Sequence, residues 1–490
     1  MSEVIPHWLD KQADLSPDGI AIETPEEKWT FLQLKKQSRN YAMKLAAHGV
    51  TARDHVAILS TNCIEMVVAV HALSYLGAVA VMINTRLSPS EIAYQLEDAN
   101  VSCLLYRESL DGLANDSVEA MEAPVFAYGF KAIDRQEAVE VNLKHELELG
   151  ELFTIIYTSG TTGFPKGVEH TFGNHWWSAV SSALNLGLSD QDKWLSALPL
   201  FHVGGLSVLV KSVVYGMPVY LLEKFEVDKV HHAIMAENVT IVSVVSVMLE
   251  RLIEKLGSDN YPDQFRCMLL GGGPASATLL GKAKQHGIPI FQTYGMTETS
   301  SQIVTLSPKY ALEKLGSAGK ALVPAQMKIV KENRISIPYM VGEIFVKGPM
   351  VTKGYYNNPS ANEKTFLDGW LGTGDLGYVD EDGFLYVKDR RTDLIISGGE
   401  NIYPAEIEAV LGGMEGIREA GVIGMEDSQW GQVPAAFVVK TDASLSEAGI
   451  LDFCSKRLAK YKVPKRVYFI DALPRNASNK IVRQKLKELL

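Results

Sequence analysis

The densest concentration of chemically useful side chains is Thr158-Ser159-Gly160-Thr161-Thr162-Gly163-Phe164-Pro165-Lys166-Gly167. Four hydroxyls, glycines that let backbone N–H groups approach a ligand, and one lysine make a donor set suited to polyphosphate oxygens. The order is not that of a Walker A loop, G-x-x-x-x-G-K-[ST], which would need Gly at 165 and Ser or Thr at 167. A plain polar connection between strands is the alternative. The position directly after the apolar run 153–157 favours the phosphate-binding reading.

Three further clusters carry chemistry. Tyr294-Gly295-Met296-Thr297-Glu298-Thr299 follows Gly271-Gly272-Gly273-Pro274-Ala275, itself just after the apolar run 267–270. Glycines at the C-terminal end of a strand are where an open α/β sheet can receive the flat face of a ligand. A hydroxyl beside a carboxylate can hold a phosphate oxygen and the Mg2+ that neutralises it. The next cluster runs through Thr373-Gly374-Asp375-Leu376-Gly377, Asp389-Arg390-Arg391-Thr392-Asp393 and Ser397-Gly398-Gly399-Glu400-Asn401-Ile402-Tyr403-Pro404. In it Asp375 could clamp a ribose diol, and the charged string could equally be a solvated linker. The last, Pro474-Arg475-Asn476-Ala477-Ser478-Asn479-Lys480, uses turn-forming residues to present one lysine on a loop.

These clusters need elements to position them. Apolar, β-branched runs at 55–59, 78–83, 153–157, 218–222, 240–245 and 267–270 predict strands, with helices between them at 30–48, 63–76, 88–97, 172–185 and 227–238. Alternation of this kind predicts an α/β fold with parallel, doubly wound sheets covered on both faces over the first 300 or so residues. Beyond about Lys328 the rhythm shortens to strands separated by turn signals such as Asp368-Gly369 and Asp382-Gly383, which predicts antiparallel hairpins closing into a small barrel-like subdomain. A helix and strand pattern resumes after Arg390-Arg391. The expected division is 1–390 for a large N-terminal domain and 391–490 for a small α+β C-terminal domain.

A chain of 490 residues allows two to four domains. Its composition, 47% hydrophobic and 21% charged, excludes disordered and collagen-like architectures. A formal charge of −11 disfavours nucleic acid as a partner. The charge is uneven: residues 451–490 hold eleven Lys/Arg against three Asp/Glu, a basic tail on an acidic body. Cys63, Cys103, Cys267 and Cys454 form no metal-like or redox-like spacing, so a reducing, cytoplasmic compartment is the expectation. The first ten residues lack the basic start and apolar core of an export signal. The apolar stretch 66–83 is interrupted by His71, Ser74, Tyr75 and Gly77 and predicts a buried helix followed by a strand, with no membrane anchor.

Taken in order and at these spacings, the four clusters resemble those of the adenylate-forming superfamily of acyl-CoA synthetases, peptide-synthetase adenylation domains and luciferases. The resemblance covers essentially the whole chain. Within it, the segments 198–206, 171–175, 301–308 and 474–480 are similar to the o-succinylbenzoate–CoA ligase branch, which serves menaquinone biosynthesis.

The resemblance implies two half-reactions: a carboxylate and Mg·ATP give an acyl-adenylate and pyrophosphate, and the thiol of coenzyme A then displaces AMP. It implies that Thr158, Ser159, Gly160, Thr161, Thr162, Gly163 and Lys166 hold the β- and γ-phosphates, Thr297 the α-phosphate and Glu298 the Mg2+. Gly272, Gly273, Pro274, Gln292 and Tyr294 surround the adenine, Gly295 completes the ATP site, and Asp375 and Arg390 take the ribose hydroxyls. Lys480 bridges the attacking carboxylate and the α-phosphate, so it serves adenylation alone. The small domain then rotates about a hinge at Thr392, where many relatives carry Asp or Lys, and brings Gly398, Gly399 and Trp430 to the coenzyme A tunnel.

In the acyl pocket the resemblance makes His202 a gate to the channel. Lys211 lies in the apolar run 206–215, where an unpaired ammonium is costly, so either it snorkels to solvent or it meets an anion. A dicarboxylate has one carboxylate left after the other is activated. Ser246, Thr293, Ser301 and Gln302 are further candidate donors. The rival readings are another aryl- or fatty-acyl-CoA synthetase, and an adenylation enzyme that loads a carrier protein, which the end of the chain at Leu490 without a carrier domain disfavours. The expected partners are small molecules, and a homo-oligomer is left open.

Overall fold

The computed structural model describes residues 3–158, 165–272, 275–390, 393, 395–397, 400–402, 404–427, 429–458, 460–476 and 479–490; for 389, 390, 396, 400 and 401 it describes the backbone alone. By compactness the chain forms two units, Met1–Met327 with Val346–Leu371, and Lys328–Phe345 with Gly372–Leu490.

The first unit is built on two large sheets. One has six strands in the order Lys166–Thr171, Leu152–Thr158, Val79–Ile83, His55–Leu59, Val101–Tyr106, Phe126–Gly129. Its strands are parallel except at the first pair. In the strand His55–Leu59, Val56 and Ile58 enter one core while Ala57 and Leu59 enter another, so both faces are covered and the run reads as continuously apolar. The strand expected at 153–157 is thus one arm of an antiparallel hairpin with Lys166–Thr171 and is not followed by a crossover helix. Only 159–165 separate the arms, too short for a parallel return, which needs a dozen or more residues.

The other sheet has nine strands, ordered Lys320–Ala321, Ser301–Leu306, Ile290–Met296, Cys267–Gly271, Ile241–Val245, Trp194–Ser196, Val219–Leu221, Ile20–Glu23, Lys28–Thr30. Its centre is parallel and its edges antiparallel. One apolar core takes side chains from both sheets and from the helices Ile64–Leu76 and Val203–Tyr215. Every residue of Ile64–Leu76 except Glu65 is buried, which accounts for its membrane-like composition. Among the described residues no helix is long and apolar enough to cross a membrane. Three helices start on reciprocal caps, Thr30 with Gln33, Ser88 with Glu91 and Thr171 with Asn174, each satisfying N–H groups that the first turn would leave unpaired.

The strands Gln326–Lys331, Arg334–Ile335, Gly342–Lys347, Phe366–Leu367, Trp370–Val379 and Leu385–Arg390 form one further sheet. The hairpins of Gln326–Lys331 with Arg334–Ile335 and of Trp370–Val379 with Leu385–Arg390 are antiparallel, as the turn signals predict.

The remainder of the second unit is a five-stranded sheet. Glu400–Ile402, Ile395–Ser397, Gly431–Lys440 and Ile417–Asp427 lie in that order, with Arg466–Phe469 parallel to Gly431–Lys440. Along the long strand, Ala435, Phe437 and Val439 pack with Leu473 and Leu486, while Ala436 and Val438 pack with Ile407, Leu411 and Ile450. The period-2 alternation therefore seals a small core on each face.

Candidate active site

In the hairpin of the first unit, Lys166 stands opposite Thr158 in register at the mouth of the connecting loop. His170, on the same strand, places Nε2 2.7 Å from the carbonyl oxygen of Thr297. A carbonyl only accepts, so Nε2 carries the proton and Nδ1 is an acceptor. Thr154 Oγ1 lies 3.5 Å from that Nδ1 and 2.9 Å from His175 Nε2, so a chain of polar groups runs from His175 through Thr154 and His170 to the main chain of Thr297. Burial pushes the His170 pKa down to about 4 and that of His175 well below the usual imidazole value, which keeps both rings neutral.

The residues after Thr297 make a constrained turn. Thr297–Thr299 is a single 3-10 turn, and Ser300 and Ser301 take φ of 54° and 111°. Such backbone persists only when its surroundings over-determine it. Ser300 Oγ donates to the Met350 carbonyl (2.8 Å), Ser178 Oγ donates to the Ser300 carbonyl (2.6 Å), and Thr299 Oγ1 donates to the Ser301 carbonyl (2.7 Å). A Cβ at Gly295 would lie 2.1 Å from the Ser301 carbonyl oxygen, so only glycine fits there. The Glu298 carboxylate at the centre of this turn is buried, accepts from the Tyr355 hydroxyl at 2.9 Å, and pairs with no Lys or Arg among the described residues. A buried carboxylate with no cationic side chain beside it among the described residues favours a bound cation. Among the described residues no group of three or more His, Cys, Asp or Glu could hold a metal by itself. One carboxylate supplemented by phosphate oxygens is how Mg2+ is usually held, and Glu298 fits that role.

Ser246, Gly272, Gln292, Thr293 and Tyr294 come from the ends of three adjacent parallel strands, where Val245 pairs with Gly271 and Leu270 with Gln292. This is the C-terminal edge at which open α/β sheets bind ligands. Thr293 Oγ1 donates to the Leu270 carbonyl (3.2 Å), and Gly272 sits at φ +82° with a Cβ position 3.0 Å from Val245. Gln292 is buried, and its Nε2 has no hydrogen-bond partner among the described residues. Gln302 Nε2 instead donates to Ser182 Oγ at 3.1 Å.

His202 caps the helix Val203–Tyr215, with its ring against Phe201 at 4.7 Å between centres. Two helical turns on, Lys211 is 1% exposed. Its ammonium donates to Ser207 Oγ at 3.2 Å and lies 5.0 Å from the centre of the Trp194 ring, and no carboxylate pairs with it among the described residues. Burial pulls its pKa down to about 8. It does not snorkel, because its helix lies in the core shared by the two sheets.

In the second unit, Asp375 is buried and stands opposite Arg390 in the antiparallel register. Its N–H donates to Thr373 Oγ1 (3.1 Å), whose hydroxyl donates to the Ile344 carbonyl (2.8 Å). Lys480 is exposed at the end of a tight hairpin: the backbones of Asn476 and Lys480 bond at 2.9 Å, Asn479 takes φ 61°, and Arg475 bridges the Asn479 carbonyl (2.7 Å) and Glu419 (3.0 Å). Trp430 is 47% exposed and precedes Gly431, which pairs with Ser397. Ser159, Gly160, Thr161, Thr162, Gly163, Gly273, Pro274, Thr392, Gly398 and Gly399, and the side chain of Arg390, lie outside the described residues.

Sequence reasoning missed four residues that shape this site: Thr154, His170, Tyr355 and Asn62. Asn62 donates to the Leu198 and Leu222 carbonyls (both 3.0 Å) and accepts from the Leu200 N–H (2.8 Å), fixing the loop that leads to His202. None of the four stands in a cluster of functional residue types, so their only signal is a polar side chain inside an apolar run or beside a turn.

Residues 9–356 match the AMP-binding enzyme family and residues 406–480 the AMP-binding enzyme C-terminal domain. The chain is 56% identical to 2-succinylbenzoate–CoA ligase of Oceanobacillus iheyensis, over 99% of this chain and 100% of that one, and 53% identical to the same enzyme of Bacillus anthracis, over 100% and 99%. Two structures of o-succinylbenzoate CoA synthetase from Bacillus subtilis superpose with a TM-score of 0.95 at 49% identity. One, bound to the acyl-adenylate intermediate OSB-AMP, is covered to 98%, and the other, bound to ATP and magnesium ion, to 100%, each with 99% of this chain. With two domain models matched in chain order, and relatives more than half identical from end to end, the chain belongs to the AMP-binding enzyme family.

Proposed function

We propose that the protein is an ATP-dependent acid–thiol ligase that converts 2-succinylbenzoate to its coenzyme A thioester through an acyl-adenylate, in menaquinone biosynthesis. The observation that carries the choice of acid is Lys211: a fully buried ammonium that donates to a hydroxyl, faces an indole and meets no carboxylate among the described residues is costly unless an anion joins it. A dicarboxylic acid supplies that anion and still offers a second carboxylate for activation. Whole-length identity to 2-succinylbenzoate–CoA ligases supports the same acid.

In the first half-reaction a carboxylate oxygen of the acid attacks the α-phosphorus of ATP, and the bond to the departing pyrophosphate breaks. Lys166 and the hydroxyls of 158–162 receive the β- and γ-phosphates, Thr297 the α-phosphate, and Tyr294, Gln292 and the glycines of 272–273 the adenine. Glu298 would hold Mg2+, which would neutralise phosphate charge when bound. Asp375 and Arg390 take the ribose hydroxyls, and Lys480 supplies positive charge between the two reacting groups. In the second half-reaction the thiolate of coenzyme A attacks the acyl carbon and AMP leaves with the electron pair. For that step residues 391–490 turn about Thr392 and bring Gly398, Gly399 and Trp430 to the thiol. His202 gates the acyl channel, with Ser246 and Thr293 as further polar lining. Four free cysteines, three of them buried, suit a reducing cytoplasm.

The test is a panel of mono- and dicarboxylic aromatic and aliphatic acids with ATP and coenzyme A, following pyrophosphate release and thioester mass. The expected result is thioester formation strongest with 2-succinylbenzoate. Preference for fatty or simple aryl monocarboxylates would overturn the choice of acid.

A further inference from the structure

Tyr355 makes contacts that no step above uses. Its hydroxyl donates to Glu298 Oε1 at 2.9 Å, and the ammonium of Lys166 lies 4.9 Å from the centre of its ring. One buried side chain thus touches both the carboxylate suited to the metal and the lysine suited to the terminal phosphates.

Its own position is over-determined. The Tyr355 N–H donates to Asn362 Oδ1 (2.7 Å), and Asn362 Nδ2 donates back to the Tyr355 carbonyl (3.0 Å). The flanking residues are stitched to the phosphate hairpin, Tyr356 N–H to the Gly167 carbonyl (2.8 Å) and Glu169 N–H to the Gly354 carbonyl (3.1 Å), with Tyr355 bridged to Val168. Thr352 N–H reaches the Glu298 carbonyl at 2.8 Å. The segment 352–356 therefore ties the strand bearing Lys166 to the turn bearing Glu298.

The choice of side chain has a chemical logic. A lysine or arginine donor at this place would neutralise Glu298 and compete with a divalent cation. A phenol fixes one carboxylate oxygen while leaving the negative charge intact, and Oε2 has no partner among the described residues. The ring face attracts an ammonium without consuming its hydrogen bonds, which stay available to phosphate.

We propose that Tyr355 is a positioning residue for metal-bound ATP: its hydroxyl orients Glu298 toward the cation, and its ring seats Lys166 toward the terminal phosphates. The proposal rests on the adenylation reading above, but its Mn2+-binding readout does not require the acyl substrate.

The experiment titrates Mn2+ in the presence of ATP, by electron paramagnetic resonance, against the full-length protein and its Tyr355→Phe and Tyr355→Leu variants. It also measures the Mg2+ half-saturation of pyrophosphate release, a quantity independent of the folded fraction. Tyr355→Phe is expected to weaken Mn2+ binding and raise the Mg2+ half-saturation five- to tenfold. Formation of thioester from preformed acyl-adenylate should stay within twofold of the parent. Tyr355→Leu should additionally weaken metal-free ATP binding, and Tyr355→Phe should add nothing in a Glu298→Gln background. Metal binding and half-saturation within twofold of the parent in the Phe variant, or equal losses in both half-reactions, would overturn the proposal. A parent protein that binds Mn·ATP through Tyr355 but makes no 2-succinylbenzoyl thioester would overturn the choice of acid and leave Tyr355 its role.

Discussion

The ammonium of Lys211 lies 5.0 Å from the centre of the Trp194 indole, inside the core shared by the two large sheets. Trp194 is itself held by its Nε1–H donating to Ser243 Oγ at 3.0 Å. A charge in such a place opposes folding and favours a ligand that neutralises it, so its effects on stability and on binding have opposite signs.

Replacing Lys211 by Met keeps the volume and removes the charge. The expected outcome is unchanged or higher resistance to urea, with a KM for 2-succinylbenzoate raised tenfold or more, since removing one partner of a buried charge pair costs about 2 kcal/mol or more. Denaturant unfolding and steady-state kinetics measure the two effects separately. A lowered unfolding midpoint with an unchanged KM would remove Lys211 from the substrate site.

The pH dependence follows from the same residue. Burial depresses the Lys211 pKa to about 8, so below that pH the ammonium is present and available to a carboxylate, and above it the free enzyme loses the charge. The KM for the dicarboxylate should rise as pH increases through about 8. In Lys211→Met that rise should be absent. Steady-state kinetics from pH 7 to 9.5 on both proteins checks the sign.

Lys480 stands between backbone contacts made by Arg475, Asn476 and Asn479, which do not depend on the identity of the side chain at 480. Lys480→Ala should therefore fold normally and lose adenylation by roughly 10²-fold or more, the scale expected when a charge-stabilising donor is removed. Conversion of preformed acyl-adenylate to thioester should persist. Pyrophosphate exchange and single-turnover thioester formation read the two steps.

Asn62 satisfies one N–H and two carbonyls around the loop to His202. Asn62→Ala leaves these groups without partners and should cost about 2–4 kcal/mol, because an unsatisfied buried group costs about 1–3 kcal/mol. Urea unfolding measures the loss, and a raised KM for the acid should accompany it.

Within the basic tail 451–490, the cations of 456–466 fall into two groups. Lys456 pairs with Asp452 at 2.6 Å and Lys462 with Glu406 at 2.7 Å, whereas Lys460, Lys465 and Arg466 are exposed and without ion pairs among the described residues. If coenzyme A phosphates dock here, neutralising the latter three should raise the KM for coenzyme A severalfold, and neutralising Lys456 and Lys462 should not. Steady-state kinetics with coenzyme A as the varied substrate decides it.

Much of this protein is written in local pattern. The strands His55–Leu59, Val79–Ile83 and Cys267–Gly271 and the helices Phe31–Ala47 and Phe172–Leu186 fall within a residue or two of where apolar periodicity and cap residues put them. Periodicity reports which faces are buried, and caps report where a helix begins. The candidate phosphate-binding clusters stand out in the sequence for a related reason: glycines, hydroxyls and charges have little other use at the ends of buried strands. Local pattern does not carry pairing. That Leu152–Thr158 turns back on Lys166–Thr171, and that Ile20–Glu23 joins the second sheet beside Val219–Leu221, are settled by contacts between distant segments. For the same reason Tyr355 and His170 were invisible as site residues, since a phenol becomes a partner of Glu298, or an imidazole of Thr297, only when the chain closes on itself. Sequence alone could ask whether Lys211 is buried or snorkels. The answer came from its helix lying in the core shared by the two sheets, which leaves the side chain 1% exposed.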